Sequence, residues 1–224
     1  MRISTQKCQQ HGHLEFSLQC EDTPALASTL NWMLGWLESE VAAGKRFSPE
    51  QTLQVGWSIL KVRARSDGTL ALFEPDFKSL PAGFVDRVSN TLLHLFLQKS
   101  TAESLGLVAE LSVPSLTDNG IICSEFGSTA DFVMSRVVSN SADSGWFFGC
   151  AKPNHDHQSL DCLRRVSLYE AAIRHDSRII PFLGLPADTF VGFSGAVPYF
   201  SRGKAELPIR PGSYLHKKYV QGVG

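Results

Sequence analysis

The stretch Asp143-Ser-Gly-Trp-Phe-Phe-Gly149 decides the fold of the second half of this chain. In it an acidic turn leads into an aromatic run framed by glycines, as at the start of a strand. Two further short apolar runs precede it, at residues 121–124 and 132–138, and turn-rich segments separate the three. Short runs spaced by turns predict strands, and their order along the chain predicts a meander. Trp146 is predicted to fill the core.

The first half of the chain opens with a helical pattern. Thr23-Pro24 supplies an N-cap and a first-turn proline for a helix that we expect to run through Ala43 and stop at Gly44. Its buried stripe is predicted to consist of Leu26, Leu30, Met33, Leu34, Leu37 and Val41. Trp32 falls nearly opposite this stripe and Trp36 lies on its flank, so both need another surface to cover them.

A hairpin and a second helix are predicted next. The hairpin comprises residues 51–65 and 69–73 around the turn Asp67-Gly68. Its first strand is expected to place alternate residues on one face: Leu53, Val55, Trp57 and Ile59. Pro81 is expected to open the helix, which ends near Gly106. Glu74 and Asp76 are expected to lie in a turn after the hairpin and to face solvent rather than to form a catalytic pair.

These patterns together predict an α+β protein. Residues 112–120 are rich in turn formers and are the best connection between two units. We therefore expect an N-terminal α+β unit of helix, hairpin and helix at 1–115 and a small antiparallel-sheet-rich domain at 119–200. A solvated basic tail at 201–224 follows. Within the second domain, residues 167–175 have modest helical character, and the prolines in and after residues 179–185 favour an edge or an extended loop.

Composition and charge narrow the function classes. Of the 224 residues, 43% are hydrophobic, and 21 Lys and Arg against 22 Asp and Glu leave a net charge of −1. This balance gives no general attraction to nucleic acid or to an anionic membrane. No apolar run suits a signal peptide or a membrane span, and five scattered cysteines favour reduced thiols. We expect a cytoplasmic protein of bacterial type.

Motifs for catalysis are weak. The phosphate-binding loops G-x-x-x-x-G-K-[ST] and G-x-G-x-x-G are absent. The stretch Gly192-Phe-Ser-Gly-Ala196 approximates a nucleophile elbow around Ser194, but Ala196 replaces the final glycine. Only His216 follows as a base, inside the basic tail. A glycine-rich turn is the favoured interpretation, and we expect no catalytic residue.

Metal binding has one candidate in the sequence. Cys150, His155, His157 and Cys162 offer thiolates and imidazoles, which zinc prefers, with the spacing C-x4-H-x-H-x4-C. This spacing differs from the short knuckles of structural zinc sites. Residues 154–157 are therefore interpreted as a polar turn, and Cys123 as a buried thiol. On this basis we expect no metal and no cofactor.

The second half resembles a known bacterial family. Its residues Asn119-Gly-Ile-Ile-Cys-Ser124, the run at 131–138, Asp143-Ser-Gly-Trp-Phe-Phe-Gly149 and Ile180-Pro-Phe-Leu-Gly-Leu-Pro186 resemble immunity family thirty-three of the polymorphic-toxin immunity proteins. The resemblance covers about residues 119–197. It departs from the family at Cys150-Ala-Lys-Pro153, where acidic residues are frequent, and at Ala187, where glycine is common.

The resemblance extends upstream and carries implications for function. Gly56-Trp57, Phe73-Glu-Pro-Asp-Phe77 and Gln98-Lys-Ser-Thr-Ala-Glu-Ser104 look like the extension found in longer members. Membership implies a noncatalytic protein that binds and neutralises a cognate toxin, delivered by a type VI or related secretion system. The toxin itself and the oligomeric state are not implied, and the family supplies no catalytic residues.

Two surfaces are candidates for partner binding. The first 118 residues carry 10 basic and 13 acidic side chains, which suits a basic partner such as a nuclease toxin. The first candidate surface is Trp32, Trp36, Glu38 and Glu40, although the tryptophans would equally suit packing against the second unit. The second is an edge around Glu125, Asp131 and Asp143. Two rival functions stay open: a hydrolase that uses Ser194 or the Cys/His metal site, and a noncatalytic adaptor for a secretion machinery.

Overall fold

The computed structural model describes residues 1–139, 143–152, 155–157 and 159–222 and has the predicted α+β fold. Its internal contacts divide the chain into unit 1, Met1–Phe96, and unit 2, Leu97–Gly224. This division precedes the turn-rich connection at residues 112–120. The division falls between Phe96 and Leu97, inside the helix Ser89–Leu105, because the later residues of this helix pack within unit 2. The Gln98 side chain, for example, donates to the carbonyl of Ile180 at 3.1 Å.

Unit 1 combines one long helix with a four-stranded antiparallel sheet and a two-stranded ribbon. Its elements in chain order are β1 (Arg2–Ser4), β2 (Ser17–Gln19), α1 (Pro24–Ala42), β3 (Thr52–Val55), β4 (Ser58–Ala64), β5 (Leu70–Pro75), β6 (Phe84–Val85) and the start of α2 (Ser89–Leu105). The ribbon pairs β1 with β2, and the sheet has the order β3-β4-β5-β6.

Helix α1 confirms the sequence prediction at both ends. Thr23 is the N-cap with extended backbone, Pro24 occupies the first turn, and Gly44 follows the helix with a positive φ of 94°. The buried side of the helix consists of Leu26, Leu30, Met33, Leu37 and Val41. These side chains belong to one core with residues of strands β3 to β5. Apolar burial of this kind contributes roughly 1.5–3 kcal/mol for each fully buried side chain.

The predicted hairpin is confirmed, with one change in its first strand. Strands β4 and β5 pair across Asp67-Gly68, where Asp67 Oδ1 accepts from the amide and hydroxyl of Thr69. Residues 51–65, however, fold as two strands, because Gly56 with a φ of 58° reverses the chain between β3 and β4. The buried face of β4 consequently carries Ser58, Leu60 and Val62, so the expected alternation through Ile59 is wrong.

Helix α2 begins later than predicted. It starts at Ser89, not at Pro81, and the intervening Phe84–Val85 forms β6 against β5. The reason is Glu74, whose buried carboxylate accepts from the amides of Asn90 and Thr91 and so fixes the first turn of the helix there. The expectation that Glu74 faces solvent is therefore wrong, since the residue is 0% exposed.

Unit 2 is built on a seven-stranded sheet. Its strands are β7 (Asn119–Cys123), β8 (Phe132–Arg136), β9 (Asp143–Cys150), β10 (Leu163–Ser167), β11 (Thr189–Phe193), β12 (Tyr199–Arg202) and β13 (Ala205–Glu206). A short helix, α3 (Leu168–Glu170), continues into a π-helical turn at Ala171–His175, as the helical character of this region predicted.

The order of the sheet, β10-β7-β9-β8-β11-β12-β13, is not the predicted meander. Strand β9 lies between β7 and β8, so it pairs antiparallel with β8 and parallel with β7. The apolar runs themselves were correctly located. Which strands pair with one another could not be predicted, because short strands carry no local signal for their order in a sheet.

Two buried side chains hold the centre of unit 2 together. Trp146 is 1% exposed, which confirms its predicted core role, and its indole donates to the carbonyl of Leu183 at 3.0 Å. Arg136, the last residue of β8, donates to the carbonyls of Ser112, Ser144 and Leu185. Burial lowers the pKa of this guanidinium. Three separate segments are thus joined by one cation whose donors are matched to backbone acceptors.

Two expectations for the end of the chain are wrong. Residues 179–185 do not form an extended edge: Ser177–Phe182 is a 3₁₀ helix whose residues Ile179 to Phe182 are buried. Residues 201–224 are not a solvated tail either, because β12 and β13 belong to the sheet and Leu215 is fully buried. Arg202 also forms an ion pair with Glu110 at 2.7 Å.

Candidate functional site

The outer face of α1 is the clearest surface feature of unit 1. No charged residue lies between Pro24 and Leu37. Five exposed residues occur at helical spacing along this face: Ala25, Ser28, Trp32, Gly35 and Ser39. Four of them are small, and Trp32 is 52% exposed at the centre. A surface helix normally presents charged and polar side chains to water, so this uncharged row is unusual.

The two tryptophans of the first predicted surface form a stacked pair. Their ring centroids lie 6.2 Å apart with an interplanar angle of 9°. Trp36 is half-buried and packs against the core of unit 1, whereas Trp32 extends outward from it. The exposed indole therefore rests on a ring that is itself anchored.

The two carboxylates of that surface are held by neighbouring groups. The Glu38 carboxylate accepts from the backbone amide of Gln6 at 2.7 Å and lies 4.0 Å from the ammonium of Lys7. Glu40 pairs with Lys45 at 2.7 Å. Because each acid has a cation beside it, aromatic and van der Waals contact is the stronger means of recognition on this face.

The second predicted surface is divided by the sheet. Glu125 follows the end of β7 and Asp131 precedes β8, which places both at the end of the sheet where β9 finishes. Asp143 begins β9 and so lies at the opposite end of that strand. Both Glu125 and Asp143 are paired, with Lys152 and Arg165 respectively, each at 2.5 Å.

Four possible metal ligands meet at the same end of the sheet as Glu125. Their donor atoms all lie within 4.8 Å of one another: those of Cys123, Cys150, His155 and His157. Cys123 ends β7 and Cys150 ends β9, and parallel pairing brings the carboxyl ends of these two neighbours together. The histidines come from the segment that follows β9.

This set differs from the one considered in the sequence by a single residue. Cys162 does not join it, because its thiol lies 3.0 Å from the carbonyl of Asp156 and 3.1 Å from that of Ser159. Cys123 takes the fourth place. Sequence reasoning missed it because the residue lies far upstream, and only the pairing of β7 with β9 makes the connection.

Electrostatics at the cluster favour uncharged side chains in the isolated protein. Burial raises the pKa of the Cys123 thiol, and the hydrogen bond donated by the Cys150 backbone amide acts in the opposite direction without cancelling this rise. Burial also lowers the pKa of His157, as does the neighbouring His155. A neutral imidazole is the form that binds metal ions.

The serine considered for hydrolysis lies in unsuitable geometry. Ser194 follows β11 in the exposed connection to β12, and these two strands pair as an antiparallel hairpin. A nucleophile elbow instead requires a strand that turns into a helix. His216 lies in a separate π-helical turn at His216–Val220. The glycine-rich turn interpretation is the one that agrees with this arrangement.

Comparison of this chain with models of protein families, with curated proteins and with solved structures returns no match. The resemblance described for residues 119–197 therefore depends on the quoted sequence pieces alone. Among the helices that the structure describes, none is both long and apolar enough to cross a membrane.

Proposed function

We propose that this protein acts by stoichiometric binding of a protein partner, and that the partner is a cognate bacterial toxin which it blocks by occlusion. The observation that carries the binding role is the uncharged outer face of α1 with Trp32 at its centre. The step to a toxin rests on the resemblance of residues 119–197 to immunity family thirty-three.

Gly35 is a second reason to regard the outer face of α1 as a binding surface. A glycine inside a helix costs about 0.5–1 kcal/mol relative to alanine. A Cβ added at Gly35 would meet nothing within 4 Å in this chain, so internal packing does not require the glycine. A partner surface that approaches the helix closely would require it, since the missing side chain leaves room for contact beside Trp32.

Trp32 also has the properties of a binding hot spot. Tryptophan is enriched among interface residues whose removal costs more than 2 kcal/mol. Stacking on Trp36 orders the indole before binding, which reduces the entropy lost in a complex. Since residues 24–37 carry no charge, the complementary surface of the toxin is an uncharged pocket that accepts the ring.

A cytoplasmic location is part of this proposal. All five cysteines are free thiols in the structure, as is usual in a reducing compartment. An inhibitor held there meets a toxin that acts inside the cell.

The test begins with the reading frame adjacent to this gene, where the proposal expects a toxin domain. That domain is purified and titrated with the full chain by calorimetry. We expect one-to-one binding that protects the toxin's target, and we expect Trp32→Ala to weaken it at least about thirtyfold, as for a hot spot of 2 kcal/mol. Ser28→Arg should weaken it as well. Leu14→Ala and Ser66→Arg alter exposed positions of unit 1 outside the α1 face and should leave affinity unchanged.

Three outcomes would overturn the proposal. The first is protection of many target molecules by one copy without a lasting complex, since this means catalysis. The second is tight binding that neither α1 variant weakens, which would transfer the contact to another surface. The third is a homodimer of the isolated chain that Trp32→Ala converts to a monomer, because the α1 face would then serve self-association.

A further inference from the structure

We propose that Cys123, Cys150, His155 and His157 form a structural zinc site in unit 2. The inference does not depend on the toxin-binding role, because the four residues lie in the other unit from the α1 face. It rests on donor geometry, on the neighbouring groups that hold the ligands, and on charge balance.

The donor geometry suits a tetrahedral ion. With Zn–S bonds of about 2.3 Å and Zn–N bonds of about 2.0 Å, donor atoms in a regular tetrahedron lie roughly 3.3–3.8 Å apart. The four donor atoms here all lie within 4.8 Å of one another, and Cys150 Sγ is already 3.5 Å from His157 Nε2. Small side-chain adjustments are therefore enough to close the shell.

One ring nitrogen of the two histidines makes no hydrogen bond that would compete with metal binding. His155 Nε2 is buried and has no hydrogen-bond partner among the described residues. A buried polar nitrogen in that condition costs about 1–3 kcal/mol, a cost that coordination removes. The two imidazole rings lie 4.9 Å apart with an interplanar angle of 66°.

Neighbouring groups hold the ligands in place. The Cys150 amide donates to Cys123 Sγ at 3.2 Å, a bond that favours a thiolate at that sulfur. A Cβ at Gly149 would lie 2.9 Å from the Phe147 ring and 3.2 Å from His157 Cε1, so the glycine leaves room for both rings. The pair Glu125–Lys152 joins the two segments that leave β7 and β9 just beyond the cysteines.

Charge balance and ligand number define the type of site. Cys123 and Cys150 are 0% and 1% exposed, and two buried thiolates alone would be strongly unfavourable. Zn²⁺ neutralises both, and two neutral imidazoles complete the shell without adding charge. Four protein ligands leave no position for a reacting water, so the site is structural and fixes residues 155–157 to the carboxyl ends of β7 and β9.

The test is a metal titration of the reduced full-length protein. We expect one Co²⁺ per chain, seen as the intense visible bands of tetrahedral cobalt with a thiolate charge-transfer band, and displacement of Co²⁺ by Zn²⁺. Cys123→Ser and Cys150→Ser should lose these bands. His155→Ala and His157→Ala should weaken Co²⁺ binding by more than about tenfold, the loss that even an outer partner of a metal ligand causes.

Cys162→Ser is the matched control, because this thiol belongs to the sequence pattern but not to the structural cluster. It should bind Co²⁺ as the parent protein does. Far-UV circular dichroism monitors folding, and the half-exposed histidines keep the test decisive if a buried cysteine variant fails to fold. Absence of Co²⁺ and Zn²⁺ binding by the parent protein would overturn the proposal. So would loss of metal from Cys162→Ser with retention in folded Cys123→Ser or in the histidine variants.

Discussion

Each unit of this protein buries a polar cluster, and the two clusters differ in how their atoms are used. In unit 1, Glu74 is fully buried, and its oxygens accept from the amides of Asn90 and Thr91 and from the Asn90 side chain. Arg87 lies 3.3 Å from it. In unit 2, the thiols and imidazoles of the proposed zinc site face one another, and His155 Nε2 has no partner among the described residues.

The difference separates a residue whose polar atoms are paired within the protein from a cluster that we propose binds an ion. Glu74 has a full set of donors, so its lone pairs are used inside the protein to begin α2. In the unit 2 cluster, the four donor atoms lie within 4.8 Å of one another, and His155 Nε2 has no hydrogen-bond partner among the described residues. Burial alone therefore does not point to a ligand site. The closeness of four metal-binding donor atoms, one of them without a hydrogen-bond partner, is what supports the proposed zinc site.

Removal of the Glu74 carboxylate should have the largest effect on stability. Glu74→Ala leaves buried amides at the start of α2 without acceptors, and we expect the free energy of unfolding of unit 1 to fall by about 3–4 kcal/mol. Urea denaturation measures the change. Glu21→Ala removes an exposed carboxylate of the same unit and should change stability by less than about 0.5 kcal/mol. Equal effects of the two variants would show that Glu74 does not anchor the helix.

The buried His94 of unit 1 should give a pH dependence. Burial lowers the pKa of His94 from 6.5 to about 4, and its Nδ1 accepts from the indole of Trp57 at 3.0 Å. Since the unfolded chain takes up the proton at higher pH, the contribution to stability is complete above pH 6.5 and decreases as pH falls toward 4. The full loss is about 3 kcal/mol.

His94→Gln isolates this contribution, because the amide oxygen can still accept from Trp57 but does not titrate. Urea denaturation of both proteins across this pH range should show stability curves that converge as pH falls. Parallel curves would mean that His94 titrates normally in the folded protein.

Zinc should stabilise unit 2 and leave unit 1 unchanged. At a free concentration of one hundred times Kd, a ligand adds about 2.7 kcal/mol to stability. Hydrogen exchange should therefore slow in β7 and β9 on addition of Zn²⁺ and speed up again with a chelator, with no change in β4 and β5. Equal protection of both units would contradict the local character of the site.

The smallest predicted effect is a gain. Gly35→Ala should raise the free energy of unfolding of the isolated chain by about 0.5–1 kcal/mol, because the added methyl meets nothing and the unfolded state loses freedom. The same substitution should weaken toxin binding. Thermal unfolding measures the gain in stability, and calorimetry measures the loss of toxin binding. A stabilised variant that binds as tightly as the parent protein would show that Gly35 is not part of the interface. Ala27→Ser, an exposed change on α1 outside the proposed row, is the control.

Sequence patterns predicted the local elements of the fold well. The cap at Thr23, the stripe of α1 and the turn at Asp67-Gly68 were all readable, since each depends on residues a few positions apart. The break at Gly56 was missed because alternation continued through it in the sequence. The burial of Glu74 was missed because its partners, the first amides of α2, lie sixteen and seventeen residues away.

The candidate sites divide in the same way. Helical spacing placed Trp32 off the buried stripe, and the structure added its 52% exposure and the stacked support of Trp36. The histidines and Cys150 of the zinc cluster were noted in sequence, but the fourth ligand was taken to be Cys162. In a meander, β8 would separate β7 from β9 by about two strand spacings, roughly 9.6 Å, which is too far for Cys123 and Cys150 to share an ion.

The sequence by itself determined the α+β class, the buried face of α1 and the places of strands β7, β8 and β9 in unit 2. Periodicity, caps and turns establish these features over a few residues, so no distant partner is needed. Only the tertiary structure decided that β9 lies beside β7 and that Cys123 meets Cys150, His155 and His157. Strand neighbours are selected by the packing of the whole sheet, and that selection brings distant residues into one site.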